Sequence, residues 1–181
     1  MALFRALDVD AAVSVVFRWL CQLRVAPYSY DWIDNRGRRS PQTLTPNLEH
    51  LEVGQRFMIF RLAHFEDGRS ITLSADHAIF GRIAVTYRVT PRGDGVGRLV
   101  VKLVVAYRSG PIGWLMAGIL PAGDLVMMRR QLLNLKALAE ATPVSVLERA
   151  LDACQCGIYA PPRWRGQSHA PTWCCRCGEA E

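Results

Sequence analysis

Residues 111–140 read PIGWLMAGILPAGDLVMMRRQLLNLKALAE, and the fold turns on how this stretch is divided. From Asp124 onward the spacing predicts a helix. Leu125, Met128, Leu132, Leu135 and Ala139 recur three or four residues apart and form one apolar stripe. Arg129, Arg130 and Lys136 lie off that stripe. Asp124 is of the right type to cap the helix, because a carboxylate accepts hydrogen bonds from the unpaired N–H groups of a first turn. The fifteen residues before it, Ser109 to Gly123, carry no charge. A bilayer span needs about twenty apolar residues, and Pro111, Gly113 and Pro121 interrupt this run, so it reads as a buried connection.

Upstream, residues 55–108 change to a period of two. Met58, Phe60 and Leu62 share one parity, as do Ile71, Leu73 and Ala75. Ile83, Val85, Tyr87 and Val89 follow, then Leu99, Val101, Leu103, Val105 and Tyr107. Glu66-Asp-Gly68 and Pro91-Arg-Gly-Asp-Gly95 are the turns between them. This is an antiparallel meander with one apolar face, and such a face must be covered. The cover available is the late helix, with an earlier one expected at about 11–24. In that earlier helix Val13, Val16, Phe17, Leu20 and Leu23 face inward, and Asp8 or Asp10 is a candidate cap. Cys21 within it reads as an inert buried thiol. Residues 3–8 read as a short strand. The expected class is α+β: a curved antiparallel sheet wrapped on a long C-terminal helix.

The chain has 181 residues, half of them hydrophobic, and a formal charge of +6. That is one domain of ordinary size plus a tail. Twenty of the 22 basic residues are Arg, with Lys only at 102 and 136. No dense basic run appears, which argues against a nucleic-acid partner. Asp8 and Asp10 precede any apolar run, so no signal peptide or transmembrane segment is expected and the location reads as cytoplasmic.

Between helix and meander lies VAPYSYDWIDNRGRRSPQTLTPN (25–47). Two readings stand for its aromatics Tyr28, Tyr30 and Trp32: anchors of a surface loop, or the mouth of a pocket. A sheet wrapped on one helix can enclose a space. Bulky, adaptable residues on the facing surfaces suggest one here. The candidate pocket residues are Tyr30, Trp32, Phe60, Tyr87, Tyr107, Trp114 and Met128.

Chemistry is sparse. There is no Gly-rich phosphate loop, nucleophile elbow or HExxH. No two of His50, His64, His77 and His169 stand at metal-ligand spacing. His64 shares the parity of Met58 and Phe60, but an edge position explains it more simply than a general base.

The stretches VVFRWLCQL, PYSYDWIDNRGRRSP, LEVGQRF, VTYRVTP, RLVVKLVV and GDLVMMRRQLLNLKALAE, spread over residues 3–140, together resemble the SRPBCC superfamily. This is the helix-grip fold of START-like domains and polyketide cyclases/dehydrases. The resemblance implies a hydrophobic cavity between sheet and helix that takes a lipid, a polyketide or another apolar small molecule. Some relatives are cyclases or dehydratases, and many only bind. The superfamily has no short diagnostic catalytic motif, so catalytic residues are not assigned. Both readings, binding module and cyclase/dehydratase-like enzyme, stay open, and no cofactor is expected for the body.

Thr142-Pro143 marks a boundary, so residues 1–140 form the expected domain and 141–181 a Cys/Pro-rich extension. Cys154, Cys156, Cys174 and Cys177 there have the pairwise grouping of a four-cysteine zinc site. The alternatives are a disulfide formed on purification and a loosely docked or disordered extension. A third function, capture of a protein partner through this tail, is therefore carried alongside the other two.

Overall fold

In a computed structural model the described residues are 1–77, 81–92, 96–107 and 109–143. The chain divides into two units, Met1–Ala141 and Thr142–Glu181. All described helices and strands belong to the first.

Its elements follow in order: β1 (Ala2–Val9), α1 (Val13–Cys21), a 3-10 turn (Gln22–Arg24), α2 (Asp31–Asp34), β2 (Arg56–Phe57), β3 (Phe60–Glu66), β4 (Ser70–His77), β5 (Gly81–Pro91), β6 (Gly97–Ala106) and α3 (Pro111–Glu140). The six strands form one antiparallel sheet in the order β1-β6-β5-β4-β3-β2, so the first strand closes against the last. This is the expected α+β helix-grip arrangement.

Register explains the core. Leu3, Arg5 and Leu7 of β1 face Leu103, Val101 and Leu99 of β6. Val85, Tyr87 and Val89 of β5 face Leu103, Val101 and Leu99 from the other side. A side-chain period of two sends all of these to one face, and the β5 and β6 members are buried. Met128, Leu132, Leu135 and Ala139 of α3 and Val15, Val16, Phe17, Trp19 and Leu20 of α1 are buried with them. Trp19 also meets Tyr28 edge to face at 5.8 Å between ring centroids.

Four expectations are corrected. The helix does not begin at Asp124. It runs unbroken from Pro111, with Gly110 at φ 106° as the cap residue. Proline suits a first helical turn, where its missing N–H has no partner to lose. Pro121 costs one internal hydrogen bond without ending the helix. Leu125 leaves the stripe and is exposed, as are Trp114, Leu115, Ile119 and Val126 on the outward face. Neither Asp8 nor Asp10 caps α1, whose cap residue is Ala12 with no side-chain bond. Instead Asp10 N donates to Glu140 Oε1 at 2.7 Å, and Asp8 pairs with Arg92. Finally, the stretch at 55–64 is not one strand. It folds back at Met58-Ile59, with Met58 at φ 54°, into the β2–β3 hairpin. Among the described residues no helix is long and apolar enough to cross a membrane.

Candidate functional site

Between the concave face of the sheet and α3 lies a cavity of about 460 Å³. Its apolar wall comes from Leu73, Val85, Leu103 and Val105 of the sheet and from Met127 and Met128 of the helix. The β2–β3 hairpin supplies Met58, Ile59 and Phe60 to the rim. Ile59 is exposed, so the cavity meets solvent at the hairpin.

Four polar side chains, Ser29, Tyr87, Asp124 and Gln131, lie in this wall. On α3, Leu120, Asp124, Met127 and Gln131 recur at helical spacing, which puts Asp124 and Gln131 on the cavity side. The Tyr87 hydroxyl donates to Gln131 Oε1 at 2.7 Å, and Gln131 Nε2 donates to Pro27 O at 2.6 Å. Gln131 thus ties β5, α3 and the 25–47 loop together, and both ends of its amide are occupied. Burial drives the Tyr87 hydroxyl pKa well above the usual phenol range, with the Asp124 charge adding to it, so Tyr87 is a neutral donor.

Asp124 is the one carboxylate among the described residues that line the cavity. Arg5, inward-facing on β1, donates to its Oδ2 at 3.2 Å. Burial raises the Asp124 pKa above the ordinary carboxylate value, and the Arg5 charge offsets only part of that. Folding therefore favours the protonated form. The stability this contributes is fully present below the unfolded carboxylate pKa and is lost as pH rises through the raised folded value. Asp124→Asn, which does not titrate, should lack this term. The melting temperature of wild type relative to Asp124→Asn should fall with rising pH across the acid range and then level. Parallel curves would show that the carboxylate is not desolvated.

Of the residues singled out from sequence, Phe60, Tyr87 and Met128 line the cavity. Tyr30 and Trp32 line a separate cleft on the outside of α3. Trp114 lies on the solvent face at 83% exposure. Tyr107 is not in the wall, and its hydroxyl contacts Met1 Sδ at 3.5 Å. His64 is exposed, because the β3–β4 register shifts between Leu62 and His64 and turns its side chain off the inward parity. Cys21 is buried, and desolvation pushes its thiol up to about 12, an unreactive state. The cysteines 154, 156, 174 and 177 lie outside the described residues. Among the described residues no cluster of His, Cys, Asp or Glu is arranged to hold a metal.

Arg5, Asp124 and Gln131 are the site residues that sequence reading missed. The signals were present: Arg5 shares the parity of Leu3 and Leu7, and Asp124 stands three and four residues before Met127 and Met128 and seven before Gln131.

No protein-family model and no curated protein matches the chain. Solved structures do. Protein MLL2253 from Mesorhizobium loti superposes with a TM-score of 0.52 at 15% identity, over 79% of this chain and 99% of that one. A START superfamily protein from Mycobacterium smegmatis gives 0.51 at 13% identity, over 77% of this chain and 97% of that one. A protein from Arthrobacter aurescens gives 0.50 at 14%, over 78% and 87%. At these identities the likeness is one of fold: the chain has the START-like helix-grip fold of the SRPBCC type.

Proposed function

We propose that the protein binds an apolar small molecule, of lipid or polyketide-like character, in the cavity between sheet and α3. The observation that carries this is the cavity itself: about 460 Å³ with a largely apolar wall. Small-molecule pockets run to about 300–1,000 Å³ and combine apolar walls with a few placed polar groups. Asp124 and the Tyr87–Gln131 pair are those groups here, and they orient a polar end of the ligand.

The test is to fill the space. Leu120→Trp places a larger ring at the half-buried helix wall. Overpacking of this kind costs about 1–3 kcal/mol, and bound ligand would pay at least that. A fluorescent fatty-acid analogue should bind wild type and lose about tenfold or more in affinity to Leu120→Trp. The variant's circular dichroism should be unchanged. Equal affinity in the two proteins would remove the cavity from the function.

Asp124 favours a second reading, an enzyme of cyclase or dehydratase type. A desolvated carboxylate with a raised pKa inside a cavity has the protonation behaviour of a general acid/base. Organic molecules released from denatured wild type and Asp124→Asn distinguish the two. Identical molecules from both proteins support binding alone. A molecule from the variant that differs from the wild-type one by water or a ring closure supports the enzyme.

A further inference from the structure

A second cleft, of about 650 Å³, lies on the outer side of α3. The 25–47 loop contributes Tyr30, Trp32 and Arg39 to it, and the helix contributes Arg130 and Asn134. Most polar groups here are spent within the protein. Asp31 accepts at Oδ2 from Ser40 N at 2.8 Å and at Oδ1 from Ser40 Oγ at 2.5 Å. Asn134 Nδ2 donates to Tyr28 O at 2.9 Å, and Gln42 Nε2 to Ser40 O at 3.0 Å.

Three groups remain unspent. Arg39 and Arg130 have no ion pair or hydrogen bond among the described residues. The third is the Tyr28 hydroxyl, which is buried and has no hydrogen-bond partner among them. Leaving a buried hydroxyl unpaired is costly, because its lost hydration is not replaced. Tyr28 also sits at φ 55°, a conformation costly for a bulky side chain. Strain of this kind collects where a site binds. Burial, and then the charge of Asp31, lifts the Tyr28 pKa to about 12, so its hydroxyl is a neutral donor near that wall residue. The flat surface comes from Trp32, which is 74% exposed at the same cleft.

Two guanidinium groups and a donor hydroxyl select an anion, and an exposed indole selects a flat ring. We propose that the outer cleft is a second binding site, for a small molecule that joins an anionic group to a flat ring. The anion lies against Arg39 and Arg130, and the ring lies against Trp32. One indole in the described lining of the cleft and the absence of a basic run in the sequence fit a small molecule better than a nucleic acid.

Calorimetric titration of the full chain with phenyl phosphate tests this, with inorganic phosphate and phenol as the halves of the probe. Phenyl phosphate should bind one to one, and each half should bind about tenfold more weakly. Arg130→Ala and Trp32→Ala, both at exposed positions, should each lose about tenfold while melting at the wild-type temperature. Arg39→Ala is the independent check on Arg130→Ala. Tyr28→Phe should weaken binding without loss of stability, a combination that a purely structural tyrosine would not show. Leu120→Trp, in the inner cavity, should leave the titration unchanged. No binding at millimolar probe would overturn the proposal, and so would equal affinity for inorganic phosphate, meaning an adventitious ion only. Sensitivity to Leu120→Trp without sensitivity to Arg130→Ala would move the probe into the inner cavity and overturn it as well.

Discussion

Leu132→Asp should leave the first unit unfolded at room temperature. Leu132 is 3% exposed, on the α3 face turned to the sheet. Truncating a buried leucine alone costs about 2–5 kcal/mol. The carboxylate adds the cost of burying a charge. Against a total stability of about 5–15 kcal/mol, the sum is decisive. The adjacent Leu133, about 100° further round the helix, is 40% exposed. Leu133→Asp should therefore shift stability by only about 0.5 kcal/mol. Urea unfolding followed by circular dichroism compares the two directly. Similar midpoints would mean that α3 is rotated from the orientation described.

Gln22→Ala should be nearly as damaging, although glutamine is not a core residue by type. Gln22 is fully buried. Its Nε2 donates to Thr45 O at 3.1 Å, and its Oε1 accepts from Thr45 N at 3.0 Å. One side chain thus stands in for a pair of backbone bonds and pins the far end of the 25–47 loop to the end of α1. Alanine strands both Thr45 groups, at about 1–3 kcal/mol each, and leaves a void besides. Gln22→Glu should not rescue it, because a carboxylate keeps the acceptor but loses the donor to Thr45 O. Thermal melts of the three proteins should show both variants well below wild type. A Gln22→Ala protein melting within a degree or two of wild type would mean that the loop is held elsewhere.

Legibility from sequence followed periodicity. Val85 to Val89 and Leu99 to Val105 alternate cleanly because one face of each strand is buried and the other is not. Met128 to Ala139 repeats at helical spacing for the same reason. The first half of α3 has no such contrast, since it lacks charge and its Trp114, Leu115 and Ile119 are exposed. Without a polar face to oppose an apolar one, Pro121 and three glycines were the strongest local signals, and they suggested a break. The β-bulge before His64 and the hairpin at Met58-Ile59 changed parity where the residue types did not. In the site, Phe60, Tyr87 and Met128 were legible as large residues on inward positions. The Arg5–Asp124 pair was not, because it joins residues 119 positions apart and becomes visible only once β1 is laid beside β6.

Pro121 also divides α3 energetically. It offers no N–H to the carbonyl of Ala117, and the described side chains of α3 that lie fully in the core begin only at Met128. The turns before Asp124 are thus the part of the helix whose melting sacrifices least, and they can open at a free energy well below that of global unfolding. Leu120, which forms part of the inner cavity wall, stands on that half. For the ligand proposed above, opening of that half is a second way out besides the solvent opening at the β2–β3 hairpin, one that leaves the packing of the sheet and of the second half of α3 in place.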